Sequence, residues 1–154
     1  MTRVVGLSRL EALYKTFVGL DLDKTKTQMI LDTASRKLAD LFIVAQQRAY
    51  ARGSDTVELI DLPITKGLEA TINEYKRERE RLNDPKLDLG PILDYLAESI
   101  PGIVIGESVR EELQDITAAI LLLTGRVIKT IDPKARKPSK EDIERARQIL
   151  DLTL

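Results

Sequence analysis

The sequence contains no cysteine, no histidine and no tryptophan, and its 154 residues include only four tyrosines and two phenylalanines. Without cysteine and histidine the chain has no thiol nucleophile, no ordinary zinc ligand set and no histidine for acid–base catalysis. The few aromatic residues do not alternate with cations, so a stacking platform for single-stranded nucleic acid is not expected. These absences predict a protein that is not an enzyme and that carries no metal and no cofactor.

Long apolar segments are also missing. The longest apolar run, residues 116–123, is too short to cross a bilayer, and the N-terminal residues lack the continuous apolar segment of a signal peptide. The absence of cysteine is in keeping with a reducing compartment. We therefore expect a cytoplasmic protein with no membrane partner. The charged fraction of 32%, together with few oxidisable residues, favours a thermophilic origin.

The chain has no excess of positive charge. Its 24 lysines and arginines are balanced by 25 aspartates and glutamates, and neither half is a polybasic tail of the kind that binds nucleic acid by charge alone. An anionic partner would therefore have to meet a local cluster of cations. The densest cluster is KARKPSK, residues 134–140, which contains Lys134, Arg136, Lys137 and Lys140.

Proline and apolar periodicity divide the chain into helices. Prolines mark the joints, and between them apolar residues recur at steps of three and four, which predicts amphipathic helices. The two longest patterns span residues 27–49 and 109–131. Their apolar positions are Leu31, Ala34, Leu38, Leu41, Ala45 and Ala49 in the first, and Val109, Leu113, Ile116, Ile120, Leu123, Val127 and Ile131 in the second.

The two long patterns repeat. A shift of 82 residues lays Leu31 on Leu113 and also aligns the shorter helices that precede each pattern. Beyond the long helices the shift becomes 81, and residues 60–63 fall on residues 141–144. Agreement over several elements predicts two copies of helix, loop, long helix, loop, helix with one shared core. The predicted divisions are residues 1–82, a linker at 83–90, and residues 91–154.

The loops predict how the two copies meet. If the long helices cross antiparallel, the end of each lies next to the start of the other. Residues 55–60 (DTVELI) and 102–106 (GIVIG) are both short and β-prone, and we expect them to pair as a small β-bridge at one end of the molecule. At the opposite end we expect residues 19–23 (GLDLD) to meet residues 136–140 (RKPSK).

This arrangement resembles the histone fold, and its tandem form is similar to the small family of bacterial and archaeal proteins with two histone folds in one chain. RKPSKEDIERA, residues 136–146, is similar to the second loop of a histone and its entry into the third helix, and RGSDTVELIDLPITKGL, residues 52–68, is a looser counterpart. The resemblance covers nearly the whole chain except residues 73–90. It implies an all-α histone fold in which the two copies form an intramolecular pseudodimer.

The resemblance also implies a clamp between an arginine and an aspartate across the second loop. In the second copy these would be Arg136 and Asp142. In the first copy the aspartate would be Asp61, and Arg52 lies far from it in sequence. Two features depart from the histone pattern: histones are strongly basic whereas this chain is not, and Pro138 stands near the place of the usual threonine.

The predicted meeting of the loops would gather six cations at one end of the molecule. Ser139 is placed to cap the last helix, with Asp142 at its third position as in a capping box. The six cations are Lys24, Lys26, Lys134, Arg136, Lys137 and Lys140.

Two functions remain open for these cations. The first is architectural: weak, sequence-nonspecific binding of duplex DNA through its phosphates, at the nucleoid. In the second, the cations form a solvated loop, and the fold serves protein interaction or self-association without DNA. The net charge of −1 favours the second and the clustered loop favours the first.

Three further segments carry weaker signals. FVGLDLDKT, residues 17–25, resembles the nucleophile motif of haloacid-dehalogenase-type phosphatases, but the apolar residues before it have helical spacing, so Asp21 or Asp23 is expected to cap the long helix. YKRERERL, residues 75–82, predicts a solvated helix with internal ion pairs. Gly125, inside the second long helix, either permits close approach of another helix or has no structural role.

Overall fold

The computed structural model describes residues 7–83, 85, 89–97, 100 and 102–154. Within them the chain forms six α-helices, one short 3-10 turn at Leu59–Asp61 and no β-strand, so the prediction of an all-helical protein is confirmed for these residues. Among the described helices, none combines the length and apolarity needed to cross a lipid bilayer. The helices are α1 (Leu7–Phe17), α2 (Lys24–Ala51), α3 (Lys66–Leu82), α4 (Gly90–Ala97), α5 (Glu107–Ile131) and α6 (Lys140–Thr153).

The two long helices, α2 and α5, form the centre of the molecule. With 28 and 25 residues, each is about 40 Å long at 1.5 Å per residue. Helix α2 begins where the carboxylate of Asp23 accepts a hydrogen bond from the backbone N–H of Lys26 at 2.8 Å. The expectation that Asp21 or Asp23 caps this helix is therefore confirmed for Asp23.

The apolar stripes of α2 and α5 supply most of the core. All six predicted positions of α2 are buried, as are Val109, Ile116 and Ile120 of α5, while the other four positions of α5 are partly buried against the same cluster. Residues from all six helices belong to this one cluster. The two repeats therefore share a single core.

Contacts at both ends show that α2 and α5 run in opposite directions. After α2, Val57 forms a β-bridge with Ile105, which precedes α5, and the N–H of Val57 donates to the carbonyl of Val104 at 2.8 Å. Before α2, the N–H of Asp21 donates to the carbonyl of Arg136, which follows α5, at 2.7 Å. Both predicted loop pairings are confirmed.

The third helices do not align as the shift of 81 predicts, so that part of the overlay is wrong. Asp61 lies in the 3-10 turn, and α3 begins five residues later, capped by the hydroxyl of Thr65. Helix α6 begins at Lys140, capped by Ser139. The 3-10 turn and the residues after it lengthen the loop before the third helix in the first copy. The caps Thr65 and Ser139 are therefore 74 residues apart in sequence, which is less than the predicted shift.

Helix α3 packs against α5, the long helix of the other copy. The prediction that residues 75–82 form a solvated helix is therefore only partly right: Arg81 pairs with Glu78 within the helix, but Tyr75 is buried. Three ion pairs join α3 to α5: Lys76–Glu112, Arg79–Asp115 and Arg126–Glu74.

Helix α6 packs against both long helices. On α2 its anchor is Lys37, a buried lysine whose Nζ lies 2.8 Å from Asp151 of α6 and 3.3 Å from Asp40. A buried ammonium group needs such partners, because an unpaired charge in the interior is costly. The hydrogen bond from Lys37 also holds the pKa of Asp151 below its usual range.

Gly125 marks the place where α1 meets α5. Tyr14 of α1 is fully buried, and its hydroxyl donates to the backbone carbonyl of Leu121. A Cβ atom added to Gly125 would lie 2.8 Å from the Tyr14 ring, closer than side-chain atoms normally approach. Of the two roles left open for this glycine, the structure selects close helix approach.

Gly125→Ala is expected to destabilise the protein. In an exposed helix the change from glycine to alanine stabilises by about 1 kcal/mol. Here the added methyl overlaps an enclosed aromatic ring, and such overpacking costs about 1–3 kcal/mol. Urea unfolding should therefore show a lower midpoint than in the parent.

The matched control is Gly67→Ala in α3, where an added Cβ meets no atom within 4 Å. This variant should be as stable as the parent or slightly more stable. If Gly125→Ala were also neutral or stabilising, the close contact with Tyr14 would not constrain the helix.

Candidate nucleic-acid interface

All six predicted cations lie at one end of the molecule, which we call the basic pole (residues 19–26 and 132–142). The hydrogen bond between Asp21 and Arg136 holds its two segments together. Between them lies a cavity of about 200 Å³, which is lined by Lys26 and Lys137 and also by Asp21 and Asp23. Lys26 is half-buried and the other five cations are exposed: Lys24, Lys134, Arg136, Lys137 and Lys140.

The basic pole also carries carboxylates. Asp23 accepts the backbone N–H of Lys26 at 2.8 Å and its Nζ at 3.3 Å. The backbone hydrogen bond, aided by the side-chain one, lowers the pKa of Asp23, so this carboxylate stays ionised and neutralises Lys26. With the four other carboxylates of the pole, six cations meet five anions and the net charge is +1. These four are Asp21, Asp132, Glu141 and Asp142.

The start of α6 is built into the basic pole. The hydroxyl of Ser139 accepts the N–H of Asp142 at 3.0 Å, and the carboxylate of Asp142 accepts the N–H of Ser139 at 3.5 Å, which together form a capping box. Pro138, just before the cap, is buried. The N-termini of α2 and α6 both lie here, and each contributes a partial positive charge of about half an elementary charge.

The clamp expected in the first copy is present. Arg52 donates from Nε and Nη2 to the two carboxylate oxygens of Asp61, at 2.8 and 2.7 Å, and the N–H of Glu58 donates to the same carboxylate at 2.8 Å. Asp61 is buried. The hydrogen bonds from Arg52, followed by the one from Glu58, lower the pKa of Asp61 to about 2.

The second copy differs from the first at this point. Arg136 and Asp142, the pair expected from the resemblance, form no ion pair in the part of the chain that the structure describes. The carboxylate of Asp142 is used by the cap of α6, and Arg136 is exposed. Its guanidinium is therefore available to a partner.

The opposite end of the molecule, which we call the acidic pole (residues 48–61 and 102–108), is tightly joined. The hydroxyl of Ser108 donates to the carboxylate of Glu58 and accepts the N–H of Leu59 at 3.0 Å. Gly106 lies so close to Glu58 that a Cβ atom at this glycine would overlap the carboxylate. These contacts hold the loop after α2 against the start of α5.

Exposed apolar side chains at the acidic pole were not predicted. Ile60 is 82% exposed, Tyr50 59% and Val104 57%. Ile60 and Val104 belong to the β-prone segments, where the sequence pattern indicates pairing and therefore burial. The available signal was the length of these segments. A strand pattern this short, with no further strands to cover it, leaves its side chains exposed.

A larger cavity, of about 350 Å³, lies between α2 and α6. It is bordered by Arg36 and Arg147, and Arg147 is already paired with Glu144 and Asp151. Because opposite charges line the same cavity, it does not favour an anionic ligand over a cationic one.

Replacing Asp61 with asparagine should destabilise the protein in a pH-dependent way. The pKa of Asp61 is about 2 in the folded protein against an ordinary value of 3.8. Its ionised form therefore stabilises the fold above about pH 4, and this contribution is lost as the pH falls towards 2. Denaturation curves should show Asp61→Asn less stable than the parent near neutral pH, with the difference shrinking through this range.

Asp55→Asn is the control, because Asp55 is exposed in the same loop and accepts a hydrogen bond from its neighbour Thr56. Its stability should follow that of the parent at every pH. A difference between parent and Asp61→Asn that stayed constant down to pH 2 would show that the clamp does not depend on the charge of Asp61.

Known proteins are similar to this chain in sequence and in fold. A family model described as "Domain of unknown function (DUF1931)" matches residues 10–151. Two proteins of Aquifex aeolicus (strain VF5), each named "Uncharacterized protein", are similar over most of their length. One is 32% identical over 153 residues, covering 98% of this chain and 85% of the relative. The other is 30% identical over 157 residues, covering 94% and 89%.

Two crystal structures have a similar fold. That of ttk003001566 from Thermus thermophilus is 36% identical, with a TM-score of 0.82 over 96% of this chain and 97% of that one. That of protein AQ328 from Aquifex aeolicus is 30% identical, with a TM-score of 0.83 over 100% and 99%. Since the family match extends from α1 to the last turn of α6, the chain belongs to the DUF1931 family.

Proposed function

We propose that this protein is a non-enzymatic architectural protein with two histone folds. In this proposal, residues 1–82 and 91–154 pair as an intramolecular pseudodimer, joined by the linker at 83–90. Three features support it: the order of short, long and medium helix occurs twice, the long helices run in opposite directions, and the loops of the two copies meet at both ends. The lack of cysteine and histidine supports the absence of catalysis.

The protein binds the backbone of duplex DNA at the basic pole. The observation that carries this proposal is the hydrogen bond from the N–H of Asp21 to the carbonyl of Arg136, because it sets the cation-bearing loops of the two copies side by side. The helix N-termini at the same pole add N–H donors suited to phosphate oxygens. The contacting residues are Lys24, Lys26, Lys134, Arg136, Lys137 and Lys140.

Contacts of this kind determine the character of the binding. Lysine and arginine on phosphates give affinity without reading the base sequence, so binding is weak and sequence-nonspecific. The carboxylate of Asp23 is paired with Lys26, which lowers the affinity further. One molecule has one such pole, so it occupies a single stretch of backbone rather than wrapping the duplex. A protein acting in this way belongs at the nucleoid in the cytoplasm.

The second candidate function is assembly with other proteins without DNA. It is favoured by the exposed side chains of Tyr50, Ile60 and Val104 at the acidic pole and by the net charge of −1. Exposed apolar side chains grouped at one end are typical of contact surfaces. The two functions use different poles, so each can be tested by itself.

Duplex DNA binding as a function of salt concentration tests the proposal. For the parent, affinity should fall steeply as salt rises, because bound phosphates release their counterions. In Lys134→Ala/Arg136→Ala/Lys137→Ala, affinity at low salt should drop, and the slope of log affinity against log salt should become shallower by up to about 2.7 if each lost cation contacts one phosphate.

The control variant, Lys66→Ala/Arg77→Ala/Arg110→Ala, removes the same three charges from exposed positions outside the basic pole. It should bind DNA with nearly the salt slope of the parent. Equal losses in both variants would indicate a response to net charge alone. Absence of binding by the parent even in low salt would overturn the DNA proposal and leave assembly as the function.

A further inference from the structure

The acidic pole has the composition of a contact surface. Its exposed apolar side chains are Tyr50, in the last turn of α2, and Ile60 and Val104, on the two segments that meet at the β-bridge. Isolated exposed apolar residues are ordinary on protein surfaces. Here three of them lie at one end of the molecule, in the last turn of α2 and on the two segments that the β-bridge joins, so their backbone is held in place before a partner binds.

The charge around these side chains is negative. Arg52 is neutralised by the clamp with Asp61, and this leaves three carboxylates against the guanidinium of Arg48. The C-terminus of α2 adds a partial negative charge at the same place. The carboxylates are those of Asp55, Glu58 and Glu107.

The basic pole complements this surface. It presents five exposed cations and the positive N-termini of α2 and α6. Arg136 is exposed, whereas Arg52 of the acidic pole is engaged with Asp61. The basic pole has a net charge of +1, and the acidic pole has four carboxylates against two arginines, so the molecule is polar from end to end.

We infer that the acidic pole of one molecule docks on the basic pole of a second copy of the same chain. Such a contact joins unlike surfaces, and electrostatic complementarity selects it over a contact of two acidic poles, which would set carboxylates against carboxylates. Because the two poles lie at opposite ends of the same pair of long helices, a docked pair still has one free pole at each of its ends. Contacts of this kind build open strings rather than closed dimers.

This association goes beyond the proposed DNA binding and does not depend on it. Both use the basic pole, so a molecule whose basic pole is covered by a neighbour cannot hold DNA there. If both occur, DNA and self-association exclude each other at that pole, and duplex DNA shortens the strings. Since charge attraction contributes to the contact, added salt weakens it.

Sedimentation velocity over micromolar to millimolar protein concentration tests the inference. The average mass of the parent should rise with concentration in low salt and return towards the monomer in high salt. Two variants each remove one half of the contact: Ile60→Ser/Val104→Ser at the acidic pole, and Lys134→Ala/Arg136→Ala/Lys137→Ala at the basic pole. Each alone should associate at least about tenfold more weakly than the parent, as expected when interface anchors are truncated.

The mixture of the two variants is the deciding measurement. Each variant keeps the pole that the other has lost, so an equimolar mixture can form one intact contact and should stop at a dimer. A parent that associates while the mixture stays monomeric would overturn head-to-tail docking, because the one contact that the mixture retains would then not form. A variant that associates by itself as strongly as the parent would overturn it as well, because a contact between like poles would then be responsible. A parent that stays monomeric over the whole concentration range in low salt would overturn self-association altogether.

The control is Ile149→Ser/Leu152→Ser, which replaces two exposed apolar residues of α6 outside both poles and should associate like the parent. Circular dichroism of every variant checks that the fold is kept. At protein concentrations where the parent is monomeric, DNA binding of Ile60→Ser/Val104→Ser should equal that of the parent. The two proposals can therefore fail separately. A parent that binds DNA without self-associating overturns only the docking inference, and a parent that self-associates without binding DNA overturns only the DNA proposal.

Discussion

The long apolar stripes of α2 and α5 need more cover than their own copies supply. Each helix is about 40 Å long, and the helices that flank it in sequence are much shorter. Burying one leucine or isoleucine contributes roughly 1.5–3 kcal/mol, so leaving such a stripe exposed would remove most of the stability of a small domain. The two copies cover each other's stripes: α2 and α5 cross, α3 and α6 pack on α5, and α6 also packs on α2.

The antiparallel crossing of the long helices creates two poles of the same construction, each a loop of one copy joined to a loop of the other. Local chemistry then makes them different. At one pole Arg52 is held by Asp61 and the loops are joined through Glu58, Ser108 and Gly106. At the other, Asp142 caps α6, and Arg136 and its neighbouring lysines are exposed. The two ends also differ in net charge because their residues differ: the basic pole has six cations and five carboxylates, and the acidic pole has two cations and four carboxylates.

Features with a local cause were predictable from the sequence. The periodicity of α2 and α5 and the cap at Ser139 depend on spacing within short segments, and the meeting of the loops follows once the two long helices are set antiparallel. The structure contains all three. The basic cluster was predictable too, because six cations follow from two loops once their meeting is known. The start of α3 was missed because the 3-10 turn at Leu59–Asp61 interrupts the pattern that continues directly into α6 in the second copy.

Features with a distant cause were not predictable. The charges of α3 suggest pairs within the helix, yet the partners of Lys76 and Arg79 lie 36 residues away on α5. Helical periodicity also cannot show that Lys37 is buried against Asp151. The exposed Ile60 is the opposite case, an apolar residue in a strand-like pattern that is nevertheless 82% exposed.

The contact between Tyr14 and Gly125 has a consequence for the order of events during synthesis. When the first copy leaves the ribosome, helix α5 has not yet been made. The ring of Tyr14, the apolar face of α2 and the cations of α3 therefore still lack their partners on that helix. Chains fold by domains as they emerge, but here the core of the first copy is not covered when Leu82 has been made, because α5 and α6 supply the rest of it. Until α5 has been made, the nascent first copy exposes its core side, so we expect the period of greatest vulnerability to aggregation or proteolysis to fall between the synthesis of α3 and that of α5.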